Sequence, residues 1–333
     1  MLKIAINGYG RIGRNVLRTM FERGLNDKIQ IVAINDLGSI ETLVHLTRFD
    51  STFGRFGSEI NTEGDCMLVG GQSIRMLKVP ETKDLPWREL DVDVVLECTG
   101  RMKKRELVDE HLAAGAKRVL LAHPLDSADL TVVYGVNHQL LSADKTVVSN
   151  ASCTTNCLAP LVKILHDDFG IEHGLMTTIH AYTNDQNLLD KNHSNLYRAR
   201  AAAHSMIPTS TGAAKTIGLV IPELAGRLDG LAVRVPTINV SLVDLSFIAA
   251  KPVDVASVNR ALQQGARQYP AGVFECNEQP LVSCDFNGYP ASSVADLSQT
   301  RVEGQLVKVL ARYDNEWGFS NRMLDVLLHW HQL

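Results

Sequence analysis

The nine residues from Ser149 to Cys157, SNASCTTNC, put a thiol where it can be used. The β-branched run Thr146, Val147 and Val148 predicts a strand, and Asn150 to Ser152 a turn. Leu158, Leu161, Val162 and Leu165 then mark the inner face of a helix that starts near Cys153. At a helix N-terminus the unpaired N–H groups and the positive end of the dipole favour an anion. The Cys153 thiol is therefore expected to have a lowered pKa and to act as a nucleophile on a carbonyl. Cys157, one turn on and deeper on the same face, reads as a small buried hydrophobe. Two cysteines at this spacing lack the closer pairing and second ligand pair of a zinc site, so no metal is expected.

A second chemical signal lies in Asn7-Gly8-Tyr9-Gly10-Arg11-Ile12-Gly13-Arg14. The apolar run Leu2 to Ile6 precedes it, and a helical pattern through Val16, Leu17, Met20 and Phe21 follows. Strand, glycine turn and helix N-terminus are the parts needed to accept a pyrophosphate. Glycine-rich turns also serve simply to pack strand against helix. The next strand, Ile29 to Ile34, tips the balance because it ends in Asn35-Asp36, about 20 residues past the last glycine, where an acid binding an adenosine ribose is expected. A carboxylate there accepts hydrogen bonds from ribose hydroxyls and repels a 2′-phosphate, so NAD is favoured over NADP.

Positioning these groups takes a large scaffold. The chain has 333 residues, 45% of them hydrophobic, which exceeds what one core usually serves and predicts two domains. A net charge of −4 gives no basic field for nucleic acid or an anionic membrane surface. The start, MLKIAINGYG, lacks a signal-peptide pattern, and no apolar run approaches the roughly 18 residues of a spanning helix. A cytoplasmic protein with its six cysteines reduced is expected.

Asp93 to Glu97 reads as a buried strand ending in Cys98-Thr99-Gly100, followed by a helix from Arg105 to Ala114 and a strand from Arg118 to Ala122. This alternation through about residue 150 predicts a Rossmann-like, doubly wound parallel sheet, with Gly70-Gly71 as an inserted hairpin turn. Beyond the Cys153 helix the rhythm changes. Leu175 to His180, Leu231 to Val235, Val240 to Ala249 and Leu306 to Tyr313 read as strands of a mainly antiparallel sheet, with a helix at Val255 to Ala266. The fold class is thus α/β plus a second, α+β domain. Residues 184–204 form a long polar stretch of little periodicity, and such loops are usually functional.

Six stretches, AINGYGRIGRNV, SNASCTTNCLAP, TTIHAYTNDQ, MIPTSTGAAK, RVPTINVSLVDL and YDNEWGFSNR, resemble in order the phosphorylating glyceraldehyde-3-phosphate dehydrogenase family from end to end. The resemblance implies an NAD-binding domain at 1–150, a catalytic domain at 151–315 and a last helix, 316–333, returning to the first domain. It implies a homotetramer in which the 184–204 loop lies beside a neighbour's cofactor. Glyceraldehyde 3-phosphate would be oxidised and phosphorylated to 1,3-bisphosphoglycerate through a cysteine thioester. Cys153 would be the nucleophile and His180 the base, an imidazolium beside the thiol stabilising the thiolate. Gly8, Gly10, Arg11, Ile12, Gly13, Asn35, Asp36, Thr99 and Asn315 would contact the cofactor. Thr183, Asp185 and Arg198 would serve the substrate phosphate, Asp185 only by organising the arginine. Ser152, Thr154, Thr211, Gly212 and Arg234 would hold the attacking inorganic phosphate, a sensible cradle of hydroxyls, a helix-start N–H and a guanidinium.

Two features depart from the family pattern. Asp190-Lys191-Asn192 stands where many NAD-specific members have Gly-Pro after the Asp, which relaxes the bar against NADP. The Arg75 to Trp87 stretch fits poorly around Pro80, so no adenine contact is taken from it. The sister family, erythrose-4-phosphate dehydrogenase, is the alternative, since PWRELDVDVVLECTG and LLAHP lean toward it while HAYT and STGAAK keep the glyceraldehyde-3-phosphate form.

Overall fold

Strand Leu2–Asn7 is where the first sheet changes direction. In the computed structural model, which describes residues 1–333, it pairs in parallel with Ile29–Asn35 on one side and with Val94–Glu97 on the other. The chain thus winds outward both ways from one strand, and the crevice beyond the carboxyl ends at such a point is where α/β sheets bind ligands. Beyond Val94–Glu97 come Arg118–Leu121, Val147–Ser149 and Leu130–Thr131, all parallel. On the other flank Gln72–Leu77 is the last parallel strand, and Cys66–Val69 and Ile60–Glu63 extend the sheet antiparallel. Gly70 and Gly71, both at positive φ, make the hairpin turn expected between two of these strands. Ile29, Ile31, Ala33 and Ile34 are fully buried, which explains why this strand reads as a continuous apolar run rather than an alternating one.

Met1–Val132, His138–Ala151 and Ser320–Leu333 form one compact unit, and Val133–Asn137 with Ser152–Phe319 form the other. The second unit is built on a sheet in the order Ile207–Ser210, Leu228–Val235, Ile171–Ala181, Ser241–Ala249, Leu306–Tyr313, Ser293–Asp296, Phe274–Asn277. Most neighbours are antiparallel, but Ile171–Ala181 runs parallel to Leu228–Val235, and Phe274–Asn277 to Ser293–Asp296. Ser241–Ala249 alternates buried and partly buried residues along its length, the mark of a strand with one face in the core. Helix Cys153–Phe169 lies against this sheet and against helix Val255–Gln268. Gly265 permits that approach, because a Cβ there would collide with Ile164.

The turn ahead of Cys153 is unusual. Ala151 is fully buried at φ 56°, in the left-handed region that L-residues avoid. Its N–H donates to Ser149 Oγ at 3.1 Å, holding the chain in that turn.

Candidate active site

Two groups of predicted residues are described in turn, one in each unit. At the carboxyl ends of Leu2–Asn7, Ile29–Asn35 and Val94–Glu97 lies a cleft of about 450 Å³ lined by Asn7, Gly8, Gly10, Asn35, Asp36 and Thr99 among others. A Cβ on Gly8 would sit 2.7 Å from the Thr99 nitrogen, and one on Gly13 would strike the Gly8 carbonyl, whereas Gly10 faces open space. The first and third glycines therefore serve close packing, and the second leaves room for a ligand against the backbone. Gly10 is the N-cap of helix Arg11–Glu22 and no side chain caps that end, which suits a pyrophosphate. Ile12, partly exposed, lies in the first turn. Asp36 is held at the rim, Oδ2 accepting from the Tyr9 N–H and Oδ1 from the Gly38 N–H, each at 2.9 Å. These features fit an adenosine diphosphate moiety with its ribose on Asp36.

Two of the predicted cofactor residues are engaged elsewhere. Arg11 pairs with Asp50, and its guanidinium lies 5.6 Å from the Phe53 ring centroid. Asn35 spends its amide on Asn7 and on the backbone of Val79. Val79, Pro80, Glu81, Thr82 and Leu85 line the cleft although the sequence reading passed over that stretch. Their order follows from a hydrogen-bonded partner on another strand, which no local pattern reveals.

In the second unit Cys153 opens helix Cys153–Phe169 and Ser152 caps it, its Oγ accepting from the Thr155 N–H at 3.1 Å. Cys153 is partly exposed, and its Sγ lies 3.5 Å from His180 Nε2. His180 Nδ1 is 2.6 Å from the Ala181 carbonyl. A carbonyl only accepts, so Nδ1 carries a proton, and Nε2 is the ring atom turned to the sulfur. Register explains the third member: His180 on Ile171–Ala181 pairs directly with Arg234 on Leu228–Val235. Arg234 Nη1 donates to the Ala181 carbonyl at 3.2 Å and to Thr183 Oγ1 at 3.3 Å, and lies 3.2 Å from His180 Nδ1. Tyr313, which the sequence reading did not single out, supports the ring edge-on, with centroids 6.0 Å apart.

Burial works against the expected acidic thiol and neighbouring imidazolium. Burial pushes the Cys153 thiol above its ordinary range, and the Arg234 charge followed by hydrogen bonds from Thr154 only partly offset it. Burial, then the Arg234 charge, push His180 down to about 3. Both shifts oppose an ion pair at rest, and the nearby cation is Arg234. A helix N-terminus stabilises an anion by about 1 kcal/mol, less than one pKa unit, so it does not outweigh desolvation.

The predicted phosphate residues are only partly free for that task. Arg198 pairs with Asp185, and its Nε donates to Thr209 Oγ1 at 3.1 Å. Thr211 Oγ1 accepts from the Ala213 N–H at 3.3 Å, and Gly212 begins helix Ala213–Val220 with no side-chain cap. The Thr154 hydroxyl is buried 2.8 Å from Tyr313 OH, itself 2.8 Å from Thr178 Oγ1. Asn315 Oδ1 accepts from Ser241 Oγ at 2.8 Å, and that hydroxyl also takes the Ala181 N–H.

Replacing Arg234 by glutamine removes the main influence that lowers the thiol pKa. The pH midpoint of Cys153 alkylation by iodoacetamide is expected to move alkaline by about one unit, the scale of a nearby opposite charge. An unmoved or acid-shifted midpoint would mean that Arg234 does not act on the sulfur.

Comparison with known proteins agrees with this geometry. Residues 2–105 match the family model "Glyceraldehyde 3-phosphate dehydrogenase, NAD binding domain", and residues 152–315 match "Glyceraldehyde 3-phosphate dehydrogenase, C-terminal domain". The chain belongs to the glyceraldehyde 3-phosphate dehydrogenase family. Members of that family similar to it include the chromosomal glyceraldehyde-3-phosphate dehydrogenase of Cupriavidus necator and that of Xanthobacter flavus. Each is 59% identical over 325 residues, covering 97% of either chain. The glyceraldehyde-3-phosphate dehydrogenase of Pseudomonas aeruginosa is 55% identical over 327 residues, 98% of this chain and 97% of its own.

Proposed function

We propose that this chain is an NAD-dependent, phosphorylating glyceraldehyde-3-phosphate dehydrogenase that works through a thioester on Cys153. The observation that carries the reading is the 3.5 Å approach of Cys153 Sγ to Nε2 of His180, whose Nδ1 is held by the Ala181 carbonyl. The thiol adds to the aldehyde carbon while His180 takes its proton at Nε2 and returns it to the new alkoxide, giving a hemithioacetal. The Cys153 N–H at the helix start and the His180 ring are the donors for the developing oxyanion. The glycine turn and Asp36 would hold NAD, which when bound would supply the hydride acceptor for oxidation of the adduct to a thioester. His180 removes the hydroxyl proton in that step. Inorganic phosphate then attacks the thioester carbonyl, the C–S bond breaks, and the thiolate recovers its proton from His180.

Arg198, oriented by Asp185, with Thr183 is the pairing for the substrate phosphate. Ser152, Thr154, Thr211, Gly212 and Arg234 are the group for inorganic phosphate. The names carried by relatives at 55 to 59% identity favour glyceraldehyde 3-phosphate over erythrose 4-phosphate as the aldehyde. A homotetramer in the cytoplasm completes the reading. Exposed Leu188, Leu189, Leu196 and Tyr197 on the long loop support assembly, and no helix is long and apolar enough to cross a membrane. The test is NADH formation from glyceraldehyde 3-phosphate with and without phosphate, beside erythrose 4-phosphate. Turnover that ignores phosphate, or prefers the four-carbon sugar, would overturn it.

A further inference from the structure

We propose that Glu97 is a cofactor-positioning residue, a buried carboxylate beneath the dinucleotide cleft that fixes the two backbone segments lining it. The inference rests on the NAD reading of that cleft. Glu97 ends strand Val94–Glu97 and is fully buried, so it acts through its neighbours. Oε2 accepts from Asn7 Nδ2 at 2.7 Å and from His111 Nε2 at 3.2 Å. Oε1 accepts from the Thr99 N–H at 2.8 Å and from the Thr99 hydroxyl. Two oxygens thus take four donors, which is near the capacity of a carboxylate.

The acceptor-only character of Glu97 sets the direction of everything joined to it. Asn7 has turned its Nδ2 to Glu97, so its Oδ1 accepts from Asn35 Nδ2 at 2.8 Å. Asn35 Oδ1 then accepts from the Val79 N–H at 2.9 Å, and its Nδ2 also reaches the Val79 carbonyl at 3.0 Å. The chain of bonds crosses the tips of three strands and ends on the segment Val79 to Leu85, one wall of the cleft. Through Thr99 the same carboxylate holds the start of the opposite wall, which continues to Arg101 and Met102. On its inner side His111 Nδ1 accepts from Trp87 Nε1 at 2.9 Å. An indole only donates, so the His111 proton is on Nε2, aimed at Glu97. Burial alone would raise the Glu97 pKa, but the bonds from His111, Thr99 and Asn7 outweigh it and keep the group ionised. In a low-dielectric interior such a network is rigid when every member is satisfied and costly when one is reversed.

Glutamine at 97 would present an NH₂ to groups that are themselves donors. The mismatch then passes through Asn7 and Asn35 to Val79, or falls directly on Thr99. NAD affinity, measured by calorimetry on the full chain, is expected to fall about tenfold or more in Glu97→Gln, while KM for the aldehyde stays within about twofold. Trp87→Phe keeps the apolar ring and deletes only the outermost donor, and about a threefold loss of NAD affinity is expected. A Glu97→Gln protein that binds NAD as the wild type does would overturn the proposal. So would equal rises in the KM of NAD and of the aldehyde alongside a lower Tm, since that pattern reports general loosening. Should Glu97→Gln fail to fold, unchanged NAD affinity in Trp87→Phe overturns it. Failure of the wild type to bind NAD would instead remove the cofactor reading and this inference with it.

Discussion

Serine in place of Cys153 is expected to lower kcat/KM for the aldehyde by roughly 10⁴-fold or more, with NAD affinity unchanged. The helix cap at Ser152 and the turn at Ala151 do not depend on the sulfur, so the new hydroxyl occupies the same place. Ionisation is what differs. A hydroxyl is far less acidic than a thiol and a weaker nucleophile when neutral, so it forms far less of the reactive anion at any working pH. A rapid-mixing trace should show no burst of NADH, whereas the wild type is expected to form one molecule per site in the burst. Near-native turnover from the serine protein would exclude a covalent intermediate on residue 153.

The second large effect belongs to His180. Its replacement by asparagine is expected to slow NADH formation by about 10² to 10³-fold, the usual worth of a positioned proton acceptor. The pH dependence follows from the direction of the two shifts. Because His180 is held down to about 3, it is neutral across the working range and contributes no acid limb to the free-enzyme profile. Because the thiol is pushed up, its ionised form grows as pH rises, and the rate climbs into the alkaline range. Without His180 the proton has no internal acceptor, so the profile should lie lower and rise more steeply with pH. Single-turnover measurements from about pH 5 to 9 read both slopes. A wild-type profile with a midpoint near 6.5, the ordinary histidine value, would show that the imidazole titrates within the working range and is not held down by burial.

Much of this arrangement is legible from local signals. The glycine turn, the acid at position 36 and the helix starting at Cys153 each depend on residues close in sequence, where periodicity and capping rules apply. The pairing of His180 with Arg234 depends on strand register across 54 positions, and no local pattern carries it. The electrostatics of the pair are hidden from the sequence for a related reason. Helix-end effects are visible in a sequence, but burial, the larger influence on Cys153 and His180, is a property of the assembled sheet. Thr154 shows the same limit, since only the fold reveals that Tyr313 claims its hydroxyl.

The parallel match of His180 to Arg234 has a consequence for how the protein comes into being. Full reactivity is expected late in maturation, because Arg234, 54 positions beyond His180, reaches the pair only when two strands far apart in the chain have aligned, and long-range pairing of this kind is slow. Recovery of turnover after denaturation therefore clocks the closing of the second sheet.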